Sequence, residues 1–539
     1  MEPRRKKTAS LTGGGFTERL TDSEGASRAG PQKAPEKELA KIAKGAGITY
    51  LGKIIGSGLQ YVYVIVIARV LGVESFGLFV LGLTIINFAE LMSRLGLDSG
   101  IVRYVAIFNG TGDKEKVKGT ILAAFKLSFM ASVCFLFILI FSAETVIAPL
   151  LGKPELGGVI KVLAVSLPFS TIMTMSLFST QGFQVMRYTV YAQNLFWPLV
   201  NLALVGALCL AGLRVYGVAS AYVVSVMAAS ALSFHFLRKT FFEMPGIESK
   251  AQTWELVRFS LPLTFVTLFN FLILWTDTLM LGYFRPAHDV GVYNAAMKTS
   301  LLTTIILASF NSIFSPIISD LYNRNETVKL HALFRSVTRW IYTLSLPAFL
   351  LIVLLPRDVM SLFGQEFAPG WAPLVILAAA QLVNAGSGSV GYMLMMSGRQ
   401  DIVFYNAVSV CVLNIALNYA LIPSYGIIGA SLASGISIVA LNLVMLLEVY
   451  VFLKMQPYDM KYLKPTAWGL LIFTVSALIG ARLGDVTGPP RILLLGSVFV
   501  AGYVSGLYFW FMNDDDKMVL DAISRKIRGN RKVATQVNK

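Results

Sequence analysis

The chain has 539 residues, of which 55% are hydrophobic and 14% charged, and it carries a formal charge of +16 at pH 7. Soluble domains carry about 25% charged residues, so this composition excludes an ordinary aqueous domain. The basic residues cluster between apolar segments rather than in one aromatic-interleaved patch, which argues against nucleic acid and fits the cytoplasmic loops of a membrane protein.

Residues 1–40 are polar and rich in Gly, Ser, Lys and Glu, and a segment so poor in large apolar side chains reads as a disordered cytoplasmic tail. The first apolar run begins near Gly45, too far in for a usual signal peptide, so the first span is expected to be retained. A membrane helix needs about 20 mostly apolar residues. Stretches without Asp, Glu, Lys or Arg at 127–143, 162–186, 188–213, 215–237, 259–276, 299–319, 340–356, 465–481 and 492–513 each predict one helix. The uncharged stretch 402–447, broken by Pro423 and Gly426, predicts two, and 367–398 predicts another. Two more carry internal charges: 46–71 with Lys53, and 76–96 with Glu90 and Arg94. The fold class is therefore all-α polytopic, with about fourteen transmembrane helices.

Lys and Arg favour alternate connections, for example Lys114, Lys116 and Lys118, Arg238 and Lys239, and Lys454, Lys461 and Lys464. The other connections hold isolated cases such as Lys153 and Arg285. This asymmetry predicts a multi-pass protein of the cell membrane with both termini cytoplasmic.

An internal repeat is visible. Phe76-Gly77, after the first span, matches Val290-Gly291, after the seventh, at an offset of 214; "NLALVGAL" from Asn201 matches "NIALNYAL" from Asn414 at an offset of 213. Repeats six spans apart insert in the same orientation, giving two parallel bundles with a cavity between them. The expected divisions are the tail 1–40, a six-helix lobe 41–245, a second 246–456, two additional helices in 457–513 and a basic cytoplasmic tail 514–539.

No Gly-rich phosphate loop ending in Lys-Ser/Thr, zinc-type His pair or Ser elbow occurs, and the loops are short, so an enzyme is not expected. Cys134, Cys209 and Cys411 lie in apolar segments and read as small core residues rather than metal ligands or disulfides. His235, His288 and His331 are scattered, and neither a metal nor a cofactor is expected.

Charges inside spans are costly, by about 2.5 kcal/mol or more at the bilayer centre, and usually face the bundle interior or a water-filled cavity. Lys53 and Lys298 are candidate cations for a substrate phosphate, although Lys53 has an equal claim to snorkel to the interface. Asp277, in "LWTDTLMLGYF", would pair with Lys298, bind a coupling cation or exchange a proton. Glu90, Arg94 and Asp98 are spaced by four, so one helical face would hold successive ion pairs. That pattern is a structural closure of the second span, or a gate in which Arg94 meets phosphate and Glu90 joins the ion coupling.

"ARVLGVESFGLFVLG" (68–82), "TDTLMLGYF" (276–284) with "VGVYNAAMK" (290–298), and "YGIIGAS" (425–431) resemble the polysaccharide and O-antigen flippases of the multidrug/oligosaccharidyl-lipid/polysaccharide exporter superfamily. The resemblance spans 45–513. It implies two six-helix lobes in a V, two extra helices, and alternating access that moves a polyprenyl-diphosphate-linked oligosaccharide outward. It also implies coupling to H+ or Na+, with glycosyltransferases or a polymerase as partners besides substrate and membrane lipid. Arg69 joins Lys53, Arg94 and Lys298 as a candidate substrate cation. Rival readings are a multidrug antiporter of the same fold, expected to have an acidic and aromatic cavity, and a peptidoglycan-precursor flippase, expected to have an Arg-rich one. A third is a scaffold for glycosyltransferases that transports nothing.

Overall fold

A computed structural model describes residues 34–210, 212, 214–241, 249–250, 253–482 and 488–507, with side chains described from Ile55 onward except 209–210 and 241. Residues 1–33 and 508–539 and the side chains of Lys53 and Cys209 lie outside the described residues. The described residues from Ile48 onward form one compact unit.

Every regular element among the described residues is helical, as a bilayer demands of a chain with no water to satisfy its backbone. In order these are α1 (Ala34–Arg94), α2 (Leu97–Gly110), α3 (Lys114–Ser142), α4 (Pro154–Ala164), α5 (Ser166–Gly182), α6 (Trp197–Leu210) and α7 (Arg214–Phe241). There follow α8 (Thr253–Phe284), α9 (Ala287–Ser300), α10 (Ile305–Asn323), α11 (Thr327–Leu354), α12 (Trp371–Ser387), α13 (Val390–Met396) and α14 (Gln400–Glu448). The last two are α15 (Leu463–Arg482) and α16 (Pro489–Gly506).

Among the described residues nine helices are long and apolar enough to cross a membrane, or ten with the pair α4 and α5, bent by 44°. Two of the nine, Ile55–Gly110 and Gln400–Leu453, hold 56 and 54 residues, far more than one crossing uses. Each folds at a glycine. Gly72 has φ 72° and ψ 170° inside α1, and Gly426 has φ 54° and ψ −129° inside α14, backbone that residues with a Cβ adopt only under strain. The expected breaks between 71 and 76 and near Gly426 are therefore present. A further break, at Leu95 (φ 50°) and Gly96 (φ 66°), falls at the expected end of the second span, 76–96.

The lipid-facing character is plain in α3. Its apolar stretch is only 17% buried, with Phe129, Met130, Phe137 and Phe141 exposed. An aqueous protein does not present such a stripe to solvent; a bilayer accepts it. Cys134 belongs to this exposed face, which corrects its reading as a core residue, whereas Cys411 is buried. The interior instead collects small polar side chains that bond their own helix, such as Ser128 Oγ to Ala124 O (2.6 Å) and Thr171 Oγ1 to Leu167 O (2.8 Å). Small residues there let helices approach closely.

The closest approach joins the repeat positions. A Cβ on Gly77 would strike the Ala287 carbonyl and lie 3.0 Å from Gly291 N, and a Cβ on Gly291 would strike the Val73 carbonyl and lie 3.3 Å from Gly77 N. Val73 and Ala287, like Gly77 and Gly291, are 214 residues apart. Residue i of one segment thus meets residue j of the other, and the reverse also holds, the signature of contact across a two-fold axis.

Candidate functional site

Two polar places lie within the bundle. The first is a cavity of about 390 Å³, within the usual range for ligand sites. Gln60, Asn87, Glu90 and Arg94 of α1 line it, with Ser170, Thr174 and Gln181 of α5 and with Gln193, Trp197 and Tyr222. Phe271 and Trp275 of α8 close it from the other half of the chain. The Glu90–Arg94–Asp98 series forms, with Arg94 Nε 4.0 Å from Glu90 Oε1 and Arg94 Nη1 3.7 Å from Asp98 Oδ2. It does so across the break at Leu95 and Gly96 rather than along one helical face, because α1 ends at Arg94 and Asp98 opens α2. Arg94 is therefore shared between two carboxylates, while its Nε is buried without a hydrogen-bond acceptor.

Lys298 borders this cavity indirectly. Its Nζ sits 5.2 Å from the ring centre of Trp275, a cation–π contact, and Trp275 in turn stacks on Phe271 at 6.2 Å. No carboxylate among the described residues lies within ion-pair distance of Lys298, so the pair with Asp277, one of the three roles the sequence offered that acid, does not form. Asp277 is instead engaged by Tyr293, five residues before Lys298 on α9, and by Asn414, Asn418 and Ser434 of α14. Arg69 is remote from the cavity lining: it is exposed near the Gly72 fold, with its Nε donating to Leu362 O at 2.6 Å.

The second place surrounds Asp277, which is 3% exposed. Its Oδ1 accepts from Asn414 Nδ2 (3.1 Å) and Asn418 Nδ2 (2.6 Å), and its Oδ2 from the Tyr293 hydroxyl (2.8 Å) and Ser434. Asn418 Nδ2 also reaches Asn414 Oδ1 at 3.0 Å, and Asn418 Oδ1 is buried without a partner. Asn414 and Asn418 are four apart on the first segment of α14, so they share a face; Ser434 comes from its second segment, beyond Gly426. The nest therefore binds α8, α9 and both parts of α14 through one carboxyl group. Among the described residues no Lys or Arg pairs with it. All four donors to this carboxyl group are neutral side chains, and an acid inside a membrane bundle is costly enough to mark a candidate functional group. No group of three His, Cys, Asp or Glu suited to a metal ion occurs among the described residues.

Sequence reasoning singles out Asp277 and places Asn414 in the repeat, but gives no role to Asn418, Ser434, Tyr293, Trp197 or Trp275. The four-residue spacing of Asn414 and Asn418 is a signal that could have found their shared face. Nothing local marks Ser434 or Trp275, whose relevance depends on helices packed from elsewhere in the chain.

Comparison with known proteins agrees with this architecture. The model of the MatE family matches residues 262–420. The probable low-salt glycan biosynthesis flippase Agl15 of Haloferax volcanii is 23% identical over 407 residues, covering 74% of this chain and 81% of that protein. The lipopolysaccharide biosynthesis protein WzxC of Escherichia coli is 24% identical over 416 residues, covering 74% and 77%. The solved structure of the lipid II flippase MurJ in an inward closed conformation superposes with a TM-score of 0.69 over 87% of this chain and 99% of that one; at 12% identity this is a likeness of fold. The family model described as polysaccharide biosynthesis protein matches residues 42–322, just over half of the chain, and the chain, a multi-pass membrane protein, belongs to that family.

Proposed function

We propose that the protein is a flippase, moving a polyprenyl-diphosphate-linked oligosaccharide across the cell membrane by alternating access. The observation that carries this reading is the cavity itself: an amide- and aromatic-lined space within an apolar bundle, walled by α8 from the other half. A sugar headgroup needs hydrogen-bonding partners and flat apolar faces, while its lipid tail stays in hydrocarbon. The names of the two curated relatives support the same chemistry.

In this reading fourteen crossings form lobes 41–245 and 246–456, with 457–513 as the additional pair and both termini cytoplasmic. Arg94 is already balanced by Glu90 and Asp98, so the diphosphate falls to Lys298 and Lys53, with Trp275 between Lys298 and the sugar. Arg69 has no part in holding substrate. Asp277 is the coupling site, taking H+ or Na+, and glycosyltransferases or a polymerase supply or consume the sugar chain.

The aromatic lining and Glu90 favour one second reading, extrusion of an organic cation. An Arg-rich peptidoglycan-precursor site fits less well, since the lining holds one Arg and it is ion-paired. The deciding experiment is flipping of a fluorescent polyprenyl-diphosphate oligosaccharide in proteoliposomes. Flipping above protein-free liposomes that falls at least about tenfold in Lys298→Ala, the loss of one charge-assisted contact, supports the proposal. Folded protein that moves no lipid but extrudes a cationic dye supports the alternative.

A further inference from the structure

Lys153 stood out in the sequence only as an isolated loop charge, yet it is 9% exposed. Its backbone is fixed by a turn in which Lys153 N donates to Ala148 O at 2.9 Å and Gly152 takes φ 63°, with Pro154 opening α4 behind it. Its Nζ donates to Leu151 O at 2.9 Å and to Gly282 O, 129 residues away on α8. That carbonyl is an orphan by sequence. In a continuing helix it would accept from the amide of residue 286, but residue 286 is proline, which has no N–H. The ammonium replaces the missing donor, at the C-terminal end of a helix, where the dipole favours positive charge. Burial pushes the Lys153 pKa below its ordinary value.

A second crossing of opposite sign lies nearby. Where α1 folds at Gly72, Val73 N loses its helical acceptor and donates instead to Glu366 Oε2 at 3.2 Å. Here a carboxylate meets the start of a helical segment, again the sign the dipole prefers. The turn carrying Glu366 is anchored by Phe363 and Phe367, both at most 1% exposed, which pack on Tyr61 and Phe76 with ring centres 6.0 and 5.8 Å apart. Glu366 lies 213 residues after Lys153, and Gly282 lies 214 after Ala68, four residues before the Gly72 fold. Each half of the chain therefore sends the turn before its fourth span onto the first span of the other half. Both turns lie at the same end as the Gly77–Gly291 contact. The cavity lies toward the opposite end: Arg94 is two residues from Gly96, whereas Gln60 is twelve residues, about 18 Å of helix, from Gly72.

We propose that these two turns are a pair of quasi-symmetric straps, with Lys153 and Glu366 as their charged tips, that hold the Gly72 end of the cavity closed and must release for the bundle to open on that side. Lys153 is the stronger tip because it is buried, whereas Glu366 is exposed. The device does not depend on what the cavity carries.

The test is cysteine accessibility in the full-length protein lacking its three native cysteines, with one probe at Asn87→Cys in the cavity and a reference at Glu155→Cys to identify the strap face. A membrane-impermeant maleimide is applied to each face of oriented vesicles separately. Lys153→Met is expected to raise labelling of the cavity probe from the strap face roughly tenfold and to lower it from the opposite face. Glu366→Gln should do the same more weakly, and Lys153→Arg should behave as the parent. Unchanged labelling from the strap face in both Lys153→Met and Glu366→Gln overturns the proposal. So does a rise on both faces, which would report general loosening. Since no substrate is present, this failure is distinct from failure of the flippase reading.

Discussion

Tyr63 and Asp277 hold equivalent places in the two halves, 214 residues apart. Each is met by an asparagine at the repeat-matched position of a later span: Asn201 Nδ2 donates to the Tyr63 hydroxyl at 3.0 Å, and Asn414 Nδ2 donates to Asp277 Oδ1 at 3.1 Å. The surroundings then diverge. Phe79 stands where the second half has Tyr293, and Val205 where it has Asn418. One half keeps a neutral helix-to-helix bond, and the other builds a nest for a carboxyl group, a side chain that is costly inside a membrane bundle. Duplication explains the shared scaffold. The departure from symmetry falls at the group proposed above as the coupling site.

Substitution at Asp277 should erase the difference between the halves most completely. Asp277→Asn preserves shape and most hydrogen bonds but removes the titratable group, so transport should fall by roughly 5–150-fold, the span of ordinary coupling energies, with little loss of folded protein in fluorescence-detected size exclusion. Asn418→Val makes the second half resemble the first. It should weaken the cation dependence of thermal stability about tenfold, read as a shift in the cation concentration giving half-maximal protection. Tyr63→Phe should cost only about 1 kcal/mol in thermal unfolding and leave cation dependence untouched; an altered cation response would mean that both halves handle ions. These effects run from largest to smallest because the first removes a charge, the second a neighbour of that charge, and the third one neutral bond.

Much of this was legible in the sequence because a bilayer is a simple solvent. Twenty uncharged residues specify a crossing, and the folds at Gly72 and Gly426 sit where expected. Asp277 was conspicuous for the same reason, as an acid amid apolar residues. The partners of charged groups were not legible. Lys298 pairs with the face of Trp275 rather than with Asp277, a choice made by side-chain direction across α8 and α9. Lys153 is buried because Pro286 leaves a carbonyl unsatisfied far along the chain. The ion series at Glu90, Arg94 and Asp98 was read from spacing alone, although the second span was expected to end at 96, short of Asp98; the positive φ of Leu95 and Gly96 splits the series across two helices.

The proposed role of Asp277, linking an ion to movement of the headgroup, is tested most directly by flipping in proteoliposomes under an imposed Na+ or H+ gradient, wild type against Asp277→Asn. One of the two gradients should accelerate flipping by the wild type, while folded Asp277→Asn should be slow and indifferent to both. An undiminished gradient response in Asp277→Asn would contradict that role and move the coupling site elsewhere in the bundle.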